Sequence, residues 1–197
     1  MSTRRWVVTA IAAAALAAGI RISAEPGDGA GMVPVLRALS KSRHSLADGF
    51  RQASKGGETV ISGKFEMDHD GKLALSVYTA AKGLSAGAEQ NVLKEYIGSP
   101  EEEKWAPKVE VFEDVKHVSR ASEQLTLMRL ASVSLVEVIE TAEKEHAGKV
   151  FWIAPAIENE KPVIVVRMAI VDGENAGGVN EYAYDAATGK EARESTK

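Results

Sequence analysis

Apolar residues recur at helical spacing in two segments of the chain, residues 45–53 and 134–142. The second segment opens with Ser134-x-x-Glu137, a capping box in which side chains and backbone satisfy the free donors of a helix N-terminus. Each segment therefore predicts a helix that packs one apolar stripe against the rest of the fold.

Strand-like alternation follows each predicted helix. Residues 61–67 and 73–77 alternate apolar and polar positions on either side of a turn at 68–71, which predicts a hairpin with one exposed face. Residues 163–171 are almost continuously apolar and are interrupted only by Arg167. This second pattern predicts a strand that is covered on both faces.

The order helix, glycine, strand, acidic turn, strand and glycine occurs twice, in residues 45–83 and 134–173, at an offset of 89 to 90 positions. This internal similarity predicts an α+β fold made of two helix-plus-antiparallel-sheet units in tandem. Between the two copies we predict a short helix over residues 88–97, a strand over 109–118, and a helix rather than a strand over 124–131.

The N-terminus has the composition of a secretory signal peptide. Arg4 and Arg5 precede an apolar stretch, residues 7–20, that is too short to span a bilayer comfortably. We predict a signal peptide over residues 1–24, cleaved after Ala24, and therefore a periplasmic or secreted protein. An uncleaved membrane anchor is the alternative. The two arginines fit an ordinary secretory signal better than a twin-arginine signal.

Composition narrows the classes of function. The chain has 197 residues, 45% hydrophobic and 26% charged, with a formal net charge of −4, as in an ordinary folded protein. Removal of residues 1–24 would take away three arginines and leave about −7, which argues against nucleic acid as a partner. The absence of cysteine excludes disulfides, a cysteine nucleophile, thiolate metal sites and a lipid-modified cysteine anchor.

The motifs that resemble catalytic or metal-binding loops are better explained as turns. Residues 185–190 (D-A-A-T-G-K) lack the glycine spacing of a phosphate loop, and residues 68–71 lack the further acidic ligands of a calcium loop. The four histidines have no zinc-binding spacing, and no Gly-x-Ser-x-Gly elbow occurs. Glu158 and Glu160 fall on a predicted turn. We therefore assign no catalytic residue, metal ligand or cofactor, and expect a protein that is not an enzyme.

A group of aromatic residues on the strands of the second copy is the one candidate for a binding surface. Trp152, Tyr182 and Tyr184 belong to it, with Phe151 beside them. Packing in the core is the ordinary explanation, and a recognition surface on the sheet is the alternative. Arg167 is the other candidate, because it is a cation in an apolar strand, although a structural salt bridge would also explain it.

The second copy resembles a PepSY domain. The resemblance covers roughly residues 133–192: a helix with alanines, a glycine, two strands, and a last strand that ends in the family's D-x-x-T-G-K at residues 185–190. Residues 45–83 resemble a degenerate first copy that lacks this ending. The resemblance implies a helix packed on a small antiparallel sheet, an exported bacterial protein of the cell envelope, and a role in restraining peptidases. Known members share no catalytic residues.

The sequence therefore predicts five segments: a signal peptide (1–24), a flexible lead-in (25–33), a degenerate PepSY-like unit with an inserted helix (34–130), a PepSY domain (131–192) and a polar tail (193–197). The expected function is that of an exported, non-catalytic module that binds a protein, with a peptidase as the partner that the resemblance suggests. A periplasmic carrier or sensor of a small ligand is the alternative. A hydrolase whose site is assembled from distant residues is a third hypothesis. The partner and the oligomeric state stay open.

Overall fold

The computed structural model describes residues 29–172 and 175–196, and within them the chain forms four α-helices and eight β-strands. The helices are α1 (Gly29–Ala38), α2 (Leu46–Ala53), α3 (Val115–Met128) and α4 (Leu135–Glu145). The strands are β1 (Thr59–Met67), β2 (Leu73–Ala80), β3 (Leu93–Gly98), β4 (Lys108–Val111), β5 (Lys149–Glu158), β6 (Lys161–Asp172), β7 (Asn175–Asp185) and β8 (Glu191–Thr196). The predicted α+β fold class is confirmed.

All eight described strands belong to one antiparallel sheet, in the order β4-β3-β2-β1-β5-β6-β7-β8. The order is symmetric about the central β1–β5 pair. Each half of the sheet consists of four strands that are consecutive in the chain, β1 to β4 in one half and β5 to β8 in the other. The central pair is short, since Gly63 is opposite Ile153 and Lys64 is opposite Trp152.

Helices α2 and α4 lie side by side on one face of the sheet, which we call the helix face. Gly63 of β1 points towards α2, because a Cβ atom there would lie 2.3 Å from Cε1 of Phe50. Arg51 of α2 forms an exposed ion pair with Glu140 of α4. The two helices that begin the two similar sequence segments therefore cover the centre of the sheet together.

Helix α3 lies on the other side of the sheet, which we call the opposite face. The hydroxyl of Ser62, the residue before Gly63 in β1, donates to Oε1 of Gln124 in α3 at 2.6 Å. The ring of Phe112 stands between Tyr78 of β2 and His117 of α3, with centroid distances of 5.6 and 5.2 Å. The strands at the centre are therefore covered on both sides.

One hydrophobic core joins the two halves of the chain. Phe50, Ile61 and Leu75 of the first half and Ile139 and Ile153 of the second are all fully buried in it. A second, smaller cluster lies on the opposite face of β5, β6 and β7; its buried members are Ala156, Val163, Val165 and Ala183, and Trp152 packs against them. Because buried residues of β6 belong to both clusters, the prediction that this strand is covered on both faces is confirmed.

The predicted capping box at the start of α4 is confirmed, and α2 begins with a second one. In α4, the backbone N–H of Glu137 donates to Oγ of Ser134 at 3.2 Å, and the backbone N–H of Ser134 donates to Oε2 of Glu137 at 2.7 Å. Ser45 and Asp48 repeat the arrangement at α2. Each pair satisfies donors that the first turn of a helix leaves free.

Both loop motifs are turns, as predicted. Oδ1 of Asp185 accepts hydrogen bonds from the backbone N–H groups of Ala187 and Thr188 at 3.1 and 2.8 Å, and Gly189 has φ +69°. In the β1–β2 hairpin, Oδ1 of Asp68 accepts from two backbone N–H groups in the same way, and Gly71 has φ +70°. An aspartate that binds its own turn and a glycine in the left-handed region are sufficient to explain both motifs.

Two predicted elements and two predicted segment ends differ from the structure. The predicted helix over residues 88–97 is a short 3-10 turn followed by β3, and the predicted strand over 109–118 is β4 followed by the start of α3. Helix α1 begins inside the predicted lead-in, and β8 extends to Thr196 through the predicted tail. In β3 and β8, pairing with a neighbouring strand overrides the weak local pattern.

The prediction of a signal peptide at residues 1–24 lies outside the described residues. Among the helices that the structure does describe, none has both the length and the apolar character that crossing a bilayer requires.

Candidate functional site

Trp152 and Arg167, two of the four predicted site residues, lie in one cross-strand row on the opposite face. Trp152, Arg167 and Glu181 are in register on β5, β6 and β7. The guanidinium carbon of Arg167 lies 4.7 Å from the ring centroid of Trp152, and its Nε donates to Oε2 of Glu181 at 2.9 Å. Arg167 is only 8% exposed. The salt-bridge explanation of Arg167 is therefore the one that the geometry favours.

Tyr182 and Tyr184, the other two predicted site residues, lie on the helix face and are buried. The Tyr182 ring stacks on His146, with centroids 3.8 Å apart. The hydroxyl of Tyr184 is buried with no hydrogen-bond partner among the described residues, and burial raises the pKa of this hydroxyl. The predicted aromatic group is thus divided between two faces, and its tyrosines present no surface for recognition.

An exposed surface exists instead at β4, the strand at one edge of the sheet. Its four residues are all exposed, and its valines are exposed to 50% (Val109) and 51% (Val111). Both valines lie on the helix face, where Val109 is opposite Tyr96 and Val111 is opposite Lys94 of β3. The side chains of Lys108 and Glu110 point to the opposite face. Sequence reasoning predicted a strand here but missed its edge position, although the alternating K-V-E-V pattern is the signal of a strand with one apolar face.

The backbone of β4 has one side open. The N–H of Phe112 donates to the carbonyl of Leu93 in β3 at 3.0 Å. Since successive N–H groups of a strand point in alternate directions, those of Val109 and Val111 point away from β3. Within the described residues, no strand pairs with that side. The strand therefore offers backbone donors and acceptors together with two exposed apolar side chains.

A network of polar side chains holds the β3 residues beside these valines. Glu58 accepts hydrogen bonds from the ammonium of Lys94 at 2.6 Å and from the hydroxyl of Thr79 at 2.5 Å. Burial alone would raise the pKa of Glu58, but hydrogen bonds from Lys94, Thr79 and Tyr96 lower it. Lys94 and Tyr96 are thus held in fixed positions next to the exposed edge.

The other face of β3 carries Glu95, a carboxyl in a different environment. Burial raises the pKa of Glu95, and the neighbouring charge of Glu66 raises it further, although a hydrogen bond with Ser76 opposes them. Glu66 itself accepts a hydrogen bond from the Ser76 hydroxyl at 2.6 Å and pairs with Lys64 at 2.7 Å. The composition of this group is that of a structural polar network rather than that of an anion-binding site.

Two clefts lie at the N-terminal ends of α2 and α4. The first has a volume of about 470 Å³ and contains charged side chains; its lining includes Leu39, Arg43, His44, Ser45, Asp48, Glu143 and Lys149. The second has about 400 Å³ and is mostly apolar; its lining includes Ser54, Thr59, Met128, Val133, Ser134, Leu135 and Val136. Three pairs of lining residues, one member in each cleft, are separated by 89 positions, the offset of the sequence similarity. The pairs are Leu39 and Met128, His44 and Val133, and Ser45 and Ser134.

One group of side chains has the chemistry of a metal site. Glu145, His146 and Glu191 each offer a ligand atom, and these atoms all lie within 4.8 Å of one another. Glu145 and His146 are consecutive in the chain, but Glu191 lies 45 residues further on, in a strand that the sequence did not predict. No local spacing could have revealed them.

Comparison with known proteins leaves the family of the chain open. No family model matches the sequence. No curated protein matches it either. Among solved structures, a candidate lipoprotein from Clostridium difficile 630 aligns with a TM-score of 0.41 and 12% sequence identity, over 79% of this chain and 95% of that chain.

Proposed function

We propose that this chain is an exported, non-catalytic module of the PepSY type that binds a protein by pairing β4 with an extended segment of its partner. The observation that carries the proposal is the open edge of β4, with two exposed valines on one face. A peptidase is the kind of partner that the PepSY resemblance suggests, and the N-terminal sequence supports export.

Strand addition explains why exposed apolar residues occur at this edge. Edge strands usually carry charges or other protection, because an open edge can pair with any extended chain. Here Lys108 and Glu110 lie on one face, but Val109 and Val111 leave the other face apolar. An added strand would make main-chain hydrogen bonds for affinity, and its alternate side chains would give specificity. The partner segment should therefore be extended, with apolar residues at every second position.

The side chains around the exposed edge of β4 are held in place, which favours a binding surface over apolar residues that are exposed without a function. Tyr96 and Lys94 lie directly opposite the two valines and are held by the Glu58 network. A partner strand would pack its apolar side chains beside Val109 and Val111. Because the neighbouring side chains are already ordered, little further conformational entropy is lost when the segment binds.

The substitution Val111→Pro tests the proposal through the backbone. Proline removes the N–H that points to the open side and keeps the bonds to β3, which proline tolerates at an edge strand. We expect wild-type protein to capture a partner from cell-envelope extract, and Val111→Pro and Val109→Lys to lose it, as measured by quantitative mass spectrometry. The matched control is Val115→Asp, since Val115 is an exposed valine outside the strand.

The partner captured in this way is then purified and its binding to each variant is titrated. A loss of affinity of at least tenfold in Val111→Pro, with wild-type affinity in Val115→Asp, supports strand addition. Equal affinity in Val111→Pro and wild type excludes it. A captured peptidase that is not inhibited by the wild-type protein would retain the binding function and exclude the inhibitor function.

The carrier or sensor hypothesis is favoured by a different observation, the pair of clefts. Each is large enough for a small molecule, although each is open, and the core between the halves is filled. Native mass spectrometry of protein purified from its own cell envelope would reveal a retained ligand as added mass. Such a ligand should survive Val111→Pro, which separates this hypothesis from strand addition.

A further inference from the structure

The cluster of Glu145, His146 and Glu191 is built where the end of α4 meets the edge strand β8. Glu145 is the last residue of the helix, His146 is its C-cap, and Glu191 is the first residue of β8. Nε2 of His146 lies 2.9 Å from Oε2 of Glu191. Glu145 is exposed, and the side chains of His146 and Glu191 are exposed to 20% and 29%, so an ion in solvent can reach the cluster.

The imidazole of His146 is held in a fixed orientation. It stacks on the buried ring of Tyr182 with an interplanar angle of 16°. The phenol oxygen of Tyr182 in turn accepts a hydrogen bond from Nδ2 of Asn180 at 3.0 Å. A ring supported in this way presents its Nε2 atom towards Glu191 without further ordering, which is what a metal ligand requires.

An ion pair between His146 and Glu191 does not explain why Glu145 also lies beside them. The Glu145 and Glu191 carboxylates bring two negative charges within 4.8 Å of the same nitrogen and of each other. Like charges at this distance repel each other, and a cation between them would offset that repulsion. A singly charged imidazolium offsets at most one of the two, whereas a divalent cation offsets both.

The buried hydroxyl of Tyr184 is a second, independent indication. Tyr184 is opposite Glu191 in the β7–β8 pair, and its side chain is fully buried. Its hydroxyl has no hydrogen-bond partner among the described residues, and buried hydroxyls are rarely left without one. It lies close enough to both Glu145 and Glu191 for their charges to act on it. Water bound to a cation at this position would supply the missing partner.

We propose that Glu145, His146 and Glu191 bind a divalent transition-metal ion, Zn²⁺ by the chemistry of its ligands, with water in the remaining position near Tyr184. One imidazole nitrogen with carboxylate oxygens suits Zn²⁺, whereas Ca²⁺ takes six to eight oxygen ligands. Zinc bonds of about 2.1 Å in a tetrahedron place ligand atoms about 3.4 Å apart. The present separations, 2.9 Å between His146 and Glu191 and at most 4.8 Å among all three residues, lie on either side of this value.

Isothermal titration of the metal-free protein with ZnCl₂ tests this site. We expect one Zn²⁺ per chain in the wild type, with affinity reduced at least tenfold in His146→Phe and in Glu191→Gln. His146→Phe keeps a ring to stack on Tyr182 and removes the ligand atom. His69→Phe is the matched control, because His69 is exposed in the 68–71 turn and should leave the affinity unchanged.

A wild-type protein that binds no Zn²⁺ would overturn the proposal, as would His146→Phe with wild-type affinity. Circular dichroism establishes that each variant is folded. Should His146→Phe not fold, the nitrogen resonances of the His146 ring in the wild type decide: a shift of Nε2 on addition of one equivalent of Zn²⁺ supports the site, and no shift excludes it.

Discussion

The side chain of Arg167 contacts an aromatic ring and a carboxylate in the sheet. Its guanidinium lies over the Trp152 ring on one side and donates to the Glu181 carboxylate on the other. The ion pair is largely shielded from water, with side-chain exposures of 10% and 13%. A charge pair in such a position contributes little net stability when intact, but loss of one partner leaves the other buried and unpaired.

Replacement of Arg167 by leucine should therefore be costly. We expect Arg167→Leu to lower the free energy of unfolding by about 3 kcal/mol, because the buried carboxylate of Glu181 loses its ion pair with the guanidinium. Urea denaturation followed by circular dichroism measures the change. Arg51→Leu is the control: its pair with Glu140 is half exposed, so the loss should stay below about 1 kcal/mol. Similar losses in the two variants would contradict the role assigned to Arg167.

At this scale the sequence predicted residue types better than their partners. The salt-bridge explanation of Arg167 could be proposed from one cation in an apolar strand, but Glu181 could not be named, since its register on β7 was unknown. Tyr182 and Tyr184 were grouped with Trp152 because all three are aromatic strand residues. Trp152 lies on one face of the sheet and the two tyrosines on the other, and this placement depends on the same register and on a bulge between Val150 and Trp152.

Strand β3 is the element in which local pattern and structure differ most. Residues 92–97 place apolar side chains at spacings that fit a helix, and Gly98 fits a helix end. The structure pairs the segment with β2 instead, over six residues from Leu93 to Gly98. Alternation is concealed because Glu95 lies on the same face as Leu93 and Ile97. A carboxyl that is partly buried by α3 and β2 is not a signal that periodicity can detect.

Glu95 should make the stability of this element depend on pH. Its pKa is raised in the fold, so the stabilising contribution of the neutral carboxyl is present below the ordinary pKa and is lost as pH rises through the folded value. We expect Glu95→Gln to equal wild type in stability near pH 3 and to be more stable at pH 7, because glutamine cannot ionise.

Thermal unfolding of both proteins from pH 3 to pH 8 measures the difference. Glu101→Gln serves as the control, because Glu101 lies in the exposed loop before β4 and should follow wild type throughout. A Glu95→Gln variant that is less stable than wild type at pH 7 would show that the ionised form is the one the fold favours.

The whole molecule has a symmetric sheet whose two halves share one core. The clefts at the starts of α2 and α4 use positions that differ by 89 residues, which supports the internal repeat as more than a similarity of pattern. The two halves nevertheless differ in lining chemistry, charged in the first and mostly apolar in the second. Neither half buries its own apolar face alone.

A shared core predicts a single unfolding transition. Trp105 lies buried in the first half and Trp152 lies on β5 of the second. We expect variants that retain only one of these two tryptophans to show the same denaturant midpoint by fluorescence, because neither half keeps its packing without the other. Trp6 is replaced in both variants. Midpoints that differ beyond error would mean that the halves unfold independently, as separate domains do.

The fold class and the order of helix and strands within each half could be predicted from the sequence, because capping boxes, turn residues and alternation are local signals. The single continuous sheet could not. It depends on pairing between β1 and β5, two strands about 90 positions apart, through Gly63 and Lys64 with Ile153 and Trp152. Nothing in the sequence of β1 or of β5 alone indicates that its edge pairs with another strand rather than staying open.

The β1–β5 pair has a further consequence, since an antiparallel pair has the same geometry when viewed from either strand. Two molecules that separate between β1 and β5 can each pair with the complementary half of the other, giving an intertwined dimer that keeps the strand pairing and the shared core of the monomer. Only the connection at residues 129–134 between α3 and α4 would have to change its course. Concentrated, partly unfolded protein therefore has a defined product of exchange, in which each eight-stranded sheet contains strands from both chains.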